Sequence, residues 1–308
     1  MQAPSATVFI TGATGFIGQR LVSMLLEQGV RVRAMVRPGK KADHRIPTAC
    51  EQVPVSLTDV DGLTQVVSGC SAVIYCAGSV RGRHAADFAT ANIKGVQAML
   101  EAMTNANSES PFLLMSSLAA GKPHLSDYAN SKYAGEQVLQ DFPALSWTIF
   151  RPPAVYGPGD KEMLPVMKMM RRGLLAHAGP ANQRLSLLHV DDLANAVVSW
   201  LSAPDKCRHQ TYAIDDGTPG GYSWKSMAEA VCVRKFRILS VPRFLLEGVA
   251  GLNLLFSGLF GYLPMLSPGK VRELVEAEWL GDNRAFTQAT GWQPQVNLKQ
   301  GAEQLFKT

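Results

Sequence analysis

The sequence predicts an α/β protein, a doubly wound parallel sheet with a smaller, mostly helical C-terminal lobe. Up to about residue 150, short β-branched runs alternate with helical stretches, the pattern of strands wrapped by helices on both faces. From Arg151 onward glycine and proline become frequent and the alternation weakens, as expected where a chain leaves its sheet. A chain of 308 residues, 46% hydrophobic, can bury a sizeable core and build a second, smaller domain.

Strands are predicted near 7–11, 31–36, 52–55, 71–76, 111–116 and 146–150, and helices near 16–28, 59–67, 85–105 and 127–141. The first strand ends at Thr11, breaks into Gly12, Gly15 and Gly18, and passes at once into a helix whose Ile17, Leu21 and Leu25 share one face. Such a junction points the first amides of a helix at a pyrophosphate. Gly12 allows the tight turn, Gly15 lets the backbone approach the phosphates, and Gly18 lets the helix lie close on the sheet. Beyond Arg151 the chain is expected to return to the sheet at 186–190. A helix led by Asp191 and Asp192 then follows, with a final strand at 211–214. Residues 1–152, with a return near 186–215, make the dinucleotide-binding domain; 153–185 and 216–308 make the substrate lobe.

Residues 244–266 form the most hydrophobic stretch, with Glu247 its only charge. Wholly helical, they would reach about 35 Å, enough to cross a bilayer. Gly248, Gly251, Gly258, Gly261 and Pro264 interrupt them, which argues against a transmembrane span. The segment reads first as a buried helical pair of the lobe. An apolar substrate mouth and a peripheral membrane-docking face are the other readings.

The five cysteines show no C-x-x-C pairing, so reduced thiols are expected rather than disulfides or a metal site. No basic stretch followed by an apolar one opens the chain, and a cytoplasmic enzyme is expected, if peripheral then at the inner face of the membrane. The net charge of +5 does not imply nucleic acid. Many of the basic residues lie between Arg31 and Arg45, where a nucleotide's phosphates would sit, and Lys168, Arg171 and Arg172 read as one solvated helix face.

Tyr128 and Lys132 stand four residues apart at the start of a predicted helix, on one face. Carbonyl reduction needs a proton donor at the oxygen while hydride arrives at the carbon. A free phenol is about three pH units too weak an acid for this, roughly 4 kcal/mol. An ammonium about 4 Å away supplies a similar amount at an effective dielectric of about 20. The apolar strand 111–115 ends in Ser116 and Ser117 eleven residues before Tyr128, and a hydroxyl at that strand end faces the ligand crevice. Ser117 is favoured over Ser116 as the group that donates to the substrate oxygen.

These motifs occur in one order. Thr11-Gly12-x-x-Gly15-x-x-Gly18 and Asn92-x-x-Gly95 come first, then Ser116-Ser117 and Tyr128-x-x-x-Lys132. Arg151-Pro152, Tyr156-Gly157-Pro158-Gly159-Asp160, His189-Val190-Asp191-Asp192 and Gly291-Trp292-Gln293-Pro294 complete the series. The chain resembles, over essentially its whole length, the extended short-chain dehydrogenases/reductases of the NAD-dependent epimerase/dehydratase family. The resemblance implies a Rossmann domain, a catalytic Ser117–Tyr128–Lys132 triad supported by Asn92, and commonly a homodimer. It implies cofactor contacts from Thr11, Gly12, Thr14, Gly15, Phe16, Ile17 and Gly18 in the loop, then Ser56, Leu57, Ala77 and Gly78, with Tyr128 and Lys132. For Asn92 and His189, a helix kink and a strand-end cap are equally good readings.

About twenty positions beyond the glycines an NAD-specific site carries an acid. This chain has Arg37 there, with Lys40 and Lys41 behind it, and a guanidinium suits a 2′-phosphate, so NADP(H) is expected. Ser56-Leu57 stands where the family usually has an aspartate and an apolar residue, which weakens the grip on adenine. Ala154 stands where nucleotide-sugar enzymes generally carry asparagine, and Leu118-Ala119 lacks the acidic pair of the dehydratases. The expected reaction is interconversion of a ketone and a secondary alcohol on a small apolar molecule, on the side of the family closest to 3β-hydroxysteroid dehydrogenase and dihydroflavonol reductase. The alternatives are a nucleotide-sugar epimerase that recycles its cofactor and a non-catalytic cofactor-binding scaffold or redox sensor.

Overall fold

The computed structural model describes residues 6–39, 43–232 and 235–307. Its first half comprises β1 (Thr7–Thr11), α1 (Phe16–Glu27), β2 (Arg31–Val36), β3 (Glu51–Pro54), α2 (Val60–Val67), β4 (Ala72–Tyr75), α3 (Ala85–Ala89), α4 (Gly95–Asn105), β5 (Phe112–Met115), α5 (Asp127–Val138) and β6 (Trp147–Phe150). The second half adds β7 (Ala154–Tyr156), α6 (Leu164–Arg171), β8 (Leu174–His177), β9 (Arg184–Leu185), β10 (Leu187–His189), α7 (Val190–Ser202), β11 (Gln210–Tyr212) and α8 (Trp224–Val231). It closes with β12 (Arg237–Ser240), α9 (Arg243–Phe260), α10 (Pro268–Val275), β13 (Glu278–Trp279), α11 (Arg284–Thr290) and α12 (Leu298–Lys307).

Seven strands form one sheet in the order β11-β6-β5-β4-β1-β2-β3, and every pairing in it is parallel. Parallel strands buried on both faces need apolar residues at successive positions, and β1 shows why. Val8 and Ile10 point into the core built with Leu21 and Leu25 of α1 and Leu193 and Trp200 of α7. Phe9, on the opposite face, joins Leu63 of α2 and Met99 and Met103 of α4. Each such fully buried side chain contributes about 1.5–3 kcal/mol relative to exposure. The registers Ile10↔Ala34, Thr11↔Tyr75 and Met115↔Phe150 bring the carboxyl ends of β1, β2, β4, β5 and β6 to one edge, where an open α/β sheet binds its ligand.

The lobe has its own core, in which Met167 and Met170 of α6, Met227 of α8 and Leu305 of α12 surround Tyr156 and Leu187. Three expectations need correction there. The chain does not rejoin the main sheet at 186–190; β10 pairs with β7 in a separate two-stranded sheet, and α7 is what returns to the nucleotide domain, against α1. The helix over 85–105 is continuous only in direction, because a π turn at Thr90–Lys94 separates α3 from α4. The segment 244–266 is not a buried helical pair: α9 buries only Ala250 and Ser257 and leaves Phe244, Leu252, Leu259 and Phe260 in the open. Leu246, Asn253 and Leu254 are half-buried beside that narrow face, and no described residue covers the opposite one. In addition, Phe286 of α11 and Trp292 pack on Phe150 and Tyr212, so this stretch belongs to the core of the sheet rather than to the lobe.

Candidate active site

Gly12 turns the chain out of β1 at φ +71°, and a Cβ there would lie 2.7 Å from the backbone of Cys76 and Ala77. A Cβ on Gly18 would overlap the Gly12 carbonyl, so helix α1 can approach the turn only with glycine at that position. Gly15 is exposed and supplies no side-chain cap, and the first turn of α1 holds no acid. Its amides are therefore open to an anion. Thr11 is fully buried, and its hydroxyl accepts from the Ala77 amide at 3.1 Å, tying β1 to the end of β4. Its side chain shapes the loop. Thr14, Phe16 and Ile17 are partly exposed around the loop, and Phe16 lies 3.7 Å from the position of a Cβ on Gly159. The Gly157–Asp160 loop thus closes over the start of α1. Asp160 stiffens that loop by accepting from the amides of Glu162 and Met163.

Arg37 is exposed directly after β2, and Ser56 and Leu57 are partly exposed after β3. Lys40 and Lys41 lie outside the described residues. Arg33 of β2 pairs with Glu51 at 2.8 Å and donates to the Val66 carbonyl at 2.7 Å.

The two serines at the end of β5 are told apart by their partners. Ser116 is buried and donates to Glu136 of α5, whose carboxylate also takes a two-pronged contact from Arg151 at 2.9 and 2.5 Å. This buried cluster fastens β5, β6 and α5 together, and the Arg151 of the Arg-Pro motif is part of it. Ser117 stays half-exposed, accepts weakly from Ala119 N at 3.2 Å, and its hydroxyl bears on the Tyr128 phenol. Of the pair, Ser117 alone is free to meet a substrate.

Tyr128 rests near Phe88, with ring centres 6.1 Å apart. Burial pushes its phenol above the ordinary tyrosine value, while the Ser117 hydroxyl and the Lys270 ammonium pull it back and Glu273 opposes them. The i, i+4 spacing predicts Lys132 as the cation of this phenol; Lys270, from α10, is a further cation that pulls on it. Lys132 is buried and donates instead to the Met115 carbonyl at 2.7 Å. Burial lowers it to about 8 against the pull of Cys76 and Glu136. It lines the wall of the crevice, 3.7 Å from the position of a Cβ on the exposed Gly78.

The Asn92 side chain is buried behind the crevice wall, its Oδ1 3.2 Å from the position of a Cβ on Gly78. It donates to Ser131 Oγ at 2.8 Å and to the Ser79 carbonyl at 3.0 Å, and accepts from the Ser79 amide at 2.9 Å. It is a positioning residue for α5. The π turn that carries it crosses α5 so closely that a Cβ on Gly135 would overlap the Asn92 carbonyl. Tyr75 donates to the Ala91 carbonyl at 2.7 Å within the same turn. His189 is likewise structural: its ring accepts from Asp191 N and caps α7. Asp191 pairs with Arg20 of α1 at 2.5 Å, and Asp192 accepts from the amides of Gln295 and Val296.

Glu136, Ser126, Lys270 and Glu273 escaped the sequence reading. Glu136 had a signal, standing at i+8 from Tyr128 and i+4 from Lys132 on the same helix face. Lys270 and Glu273 had none, because only the fold carries α10 to the start of α5.

The sheet order, the glycine-shaped anion loop and the Ser117–Tyr128 pair define an enzyme of the nicotinamide-dinucleotide class. Residues 8–214 match the model of the NAD dependent epimerase/dehydratase family, and the chain belongs to that family. It is 33% identical over 277 residues to a ceramide reductase of Caulobacter vibrioides, covering 88% of this chain and 85% of that protein. It is 25% identical to a 4-hydroxy-2-methyl-3-oxo-4-farnesyl-3,4-dihydroquinoline-1-oxide ketoreductase of Stigmatella aurantiaca, covering 68% of each. Its fold matches a UDP-glucose 4-epimerase from Thermotoga maritima with a TM-score of 0.74 at 18% identity, over 98% of this chain and 97% of that one. Family and relatives together make the chain an oxidoreductase.

Proposed function

We propose that the protein is an NADP(H)-dependent reductase that converts a ketone to a secondary alcohol on a long, predominantly apolar molecule, by Ser117, Tyr128 and Lys132. The observation that carries this reading is the Tyr128 phenol under the pull of the Ser117 hydroxyl at the sheet edge that also bears the glycine loop. The residues present fit the cofactor: the uncapped first turn of α1 and the crowded Gly12 and Gly18 leave a cradle of amides for a diphosphate. When bound, the cofactor supplies hydride to the carbonyl carbon. Ser117 holds the carbonyl oxygen, and Tyr128 gives that oxygen its proton. The half-open phenol is then reprotonated from solvent. Lys132 adds a positive charge to the wall at Gly78, beside the reacting end of the crevice.

Arg37 supports NADP(H) over NAD(H), because its exposed guanidinium follows β2 where a carboxylate would repel a 2′-phosphate. Three observations support an apolar substrate. Ala154 gives no donor to a diphosphate, and the two relatives are named for a ceramide and for a farnesyl-bearing quinoline. The lobe also exposes a large apolar helix. The test is consumption of NADPH and NADH against long-chain 3-oxo amides and 3-oxoacyl chains, steroid and flavonoid ketones, small aldehydes and a nucleotide sugar. Oxidation of NADPH confined to the long-chain compounds is expected. Interconversion of the nucleotide sugar without net cofactor consumption would replace this reading with an epimerase.

A further inference from the structure

Helix α9 runs for 18 residues with its outward side chains uncovered. Phe244, Leu245, Leu252, Leu255, Leu259 and Phe260 are 51–76% exposed. At 3.6 residues per turn they spread over an arc of about 160°. No charge falls within that arc; Glu247 lies outside it and is paired with Arg243 at 2.7 Å. The apolar surface continues beyond both ends of the helix, through Ile238 and Leu239 of β12 and through Tyr262, Leu263 and Met265.

We infer that α9 seats the protein on a lipid bilayer, lying in the interface plane with this arc in the acyl layer and the Ala250–Ser257 face against the body of the protein. A single helix docked from a partner covers a stripe of about 100°, as in ordinary amphipathic packing, whereas a fluid lipid layer covers the whole arc. Charge favours the same occupant. Lys235, Arg237 and Arg243 are exposed on the approach to the helix, and Arg237 pairs in register with Leu174, close behind Arg171 and Arg172. These cations suit anionic headgroups. The helix lies rather than crosses, because both ends are fixed in one body. β12 pairs with β8 two residues before it, and α10 after it is held to Leu125 and Ser126, the residues that lead into the catalytic helix. Tyr262 fastens the turn between them by donating to Asn253 Oδ1 at 2.6 Å. The bilayer surface is thus joined through α10 to Lys270 and Tyr128, and a substrate dissolved in lipid would leave it next to the phenol.

The test is flotation of the full chain with vesicles of 3:1 phosphatidylcholine and phosphatidylglycerol, which requires no turnover and so stands or falls separately from the proposed reaction. Binding is expected for the unmodified protein, with at least a tenfold loss for Leu252→Glu/Leu259→Glu. A smaller loss is expected for Arg237→Glu, seen only on vesicles containing phosphatidylglycerol. Binding of NADPH by both variants, measured by fluorescence, checks that they fold. A protein that does not float, or a double variant that floats as well as the unmodified one, overturns the inference. So does a dimer in light scattering that the double substitution splits while flotation is unchanged.

Discussion

The Ser126 hydroxyl accepts from the Ala129 amide at 2.9 Å and donates to the buried carboxylate of Glu273, so one side chain both caps the catalytic helix and fixes the substrate lobe to it. A Cβ on Gly269 would come 2.8 Å from Ser126 Cβ, which shows how tightly α10 is seated there. Removing the hydroxyl takes away a cap worth about 1 kcal/mol and leaves a buried carboxylate short of a partner, at a similar cost or more. Ser126→Ala should lower stability by about 2 kcal/mol, a fall in Tm of about 4 °C or more by thermal unfolding. Ser126→Thr should recover most of it.

The Lys270 ammonium pulls the Tyr128 phenol down, and Glu273, 2.9 Å from Lys270, opposes it. Lys270→Met leaves the anion unbalanced and raises the phenol further. We expect kcat to fall about tenfold, equivalent to about 1.4 kcal/mol, with NADPH affinity unchanged. Equal losses in both would mean that Lys270 holds the cofactor instead.

Lys132 gives the reaction an alkaline limit. Burial lowers it to about 8, so it carries its proton below that value and loses it above. The rate of reduction should be level on the acid side and decline as pH rises through about 8. A rate–pH profile on Lys132→Arg, whose charge does not titrate in this range, should lose that decline.

Acid stability should depend on His189. Burial holds its ring below the ordinary histidine value of 6.5, against the pull of Asp191 and Asp192. Below pH 6.5 the unfolded chain takes up a proton that the folded chain resists, so the unfolded state binds more protons and stability declines as pH falls. The contribution is fully present above 6.5 and is lost on passing down through the folded-state value. His189→Asn, still able to cap α7, should flatten this slope in denaturant titrations between pH 7 and 5.

Cofactor choice is predicted to turn on Arg37. Arg37→Asp replaces a cation by an anion beside the expected 2′-phosphate and should weaken NADPH about 10- to 100-fold, the range for a lost charge-assisted hydrogen bond. NADH affinity should change little. Fluorescence titration with both nucleotides separates the two cases.

Local patterns made the sheet half of this fold legible. Alternation of Val8, Phe9 and Ile10 across two cores and the glycines after Thr11 are written in consecutive residues, as is the Tyr128–Lys132 spacing. Long-range pairing was not written there. The i, i+4 rule brings Lys132 near Tyr128 but does not say where the ammonium turns, and Met115 O captures it. Lys270 acts on the phenol from α10, far along the chain, which Arg272 and Glu273 hold to Leu125 and Ser126 by contacts that no periodicity announces. Helix α9 misled for a different reason: apolar composition normally signals burial, and only the packing reveals that no described residue covers its outer face.

The most direct measurement is NADPH oxidation by Tyr128→Phe with the best long-chain ketone substrate, alongside NADPH binding by the same variant. Removing only the phenol oxygen takes away the proton donor beside Ser117 while keeping the ring beside Phe88. Turnover should fall at least a thousandfold, about 4 kcal/mol, with cofactor affinity within about twofold of the unmodified protein. Turnover retained within tenfold would contradict the mechanism.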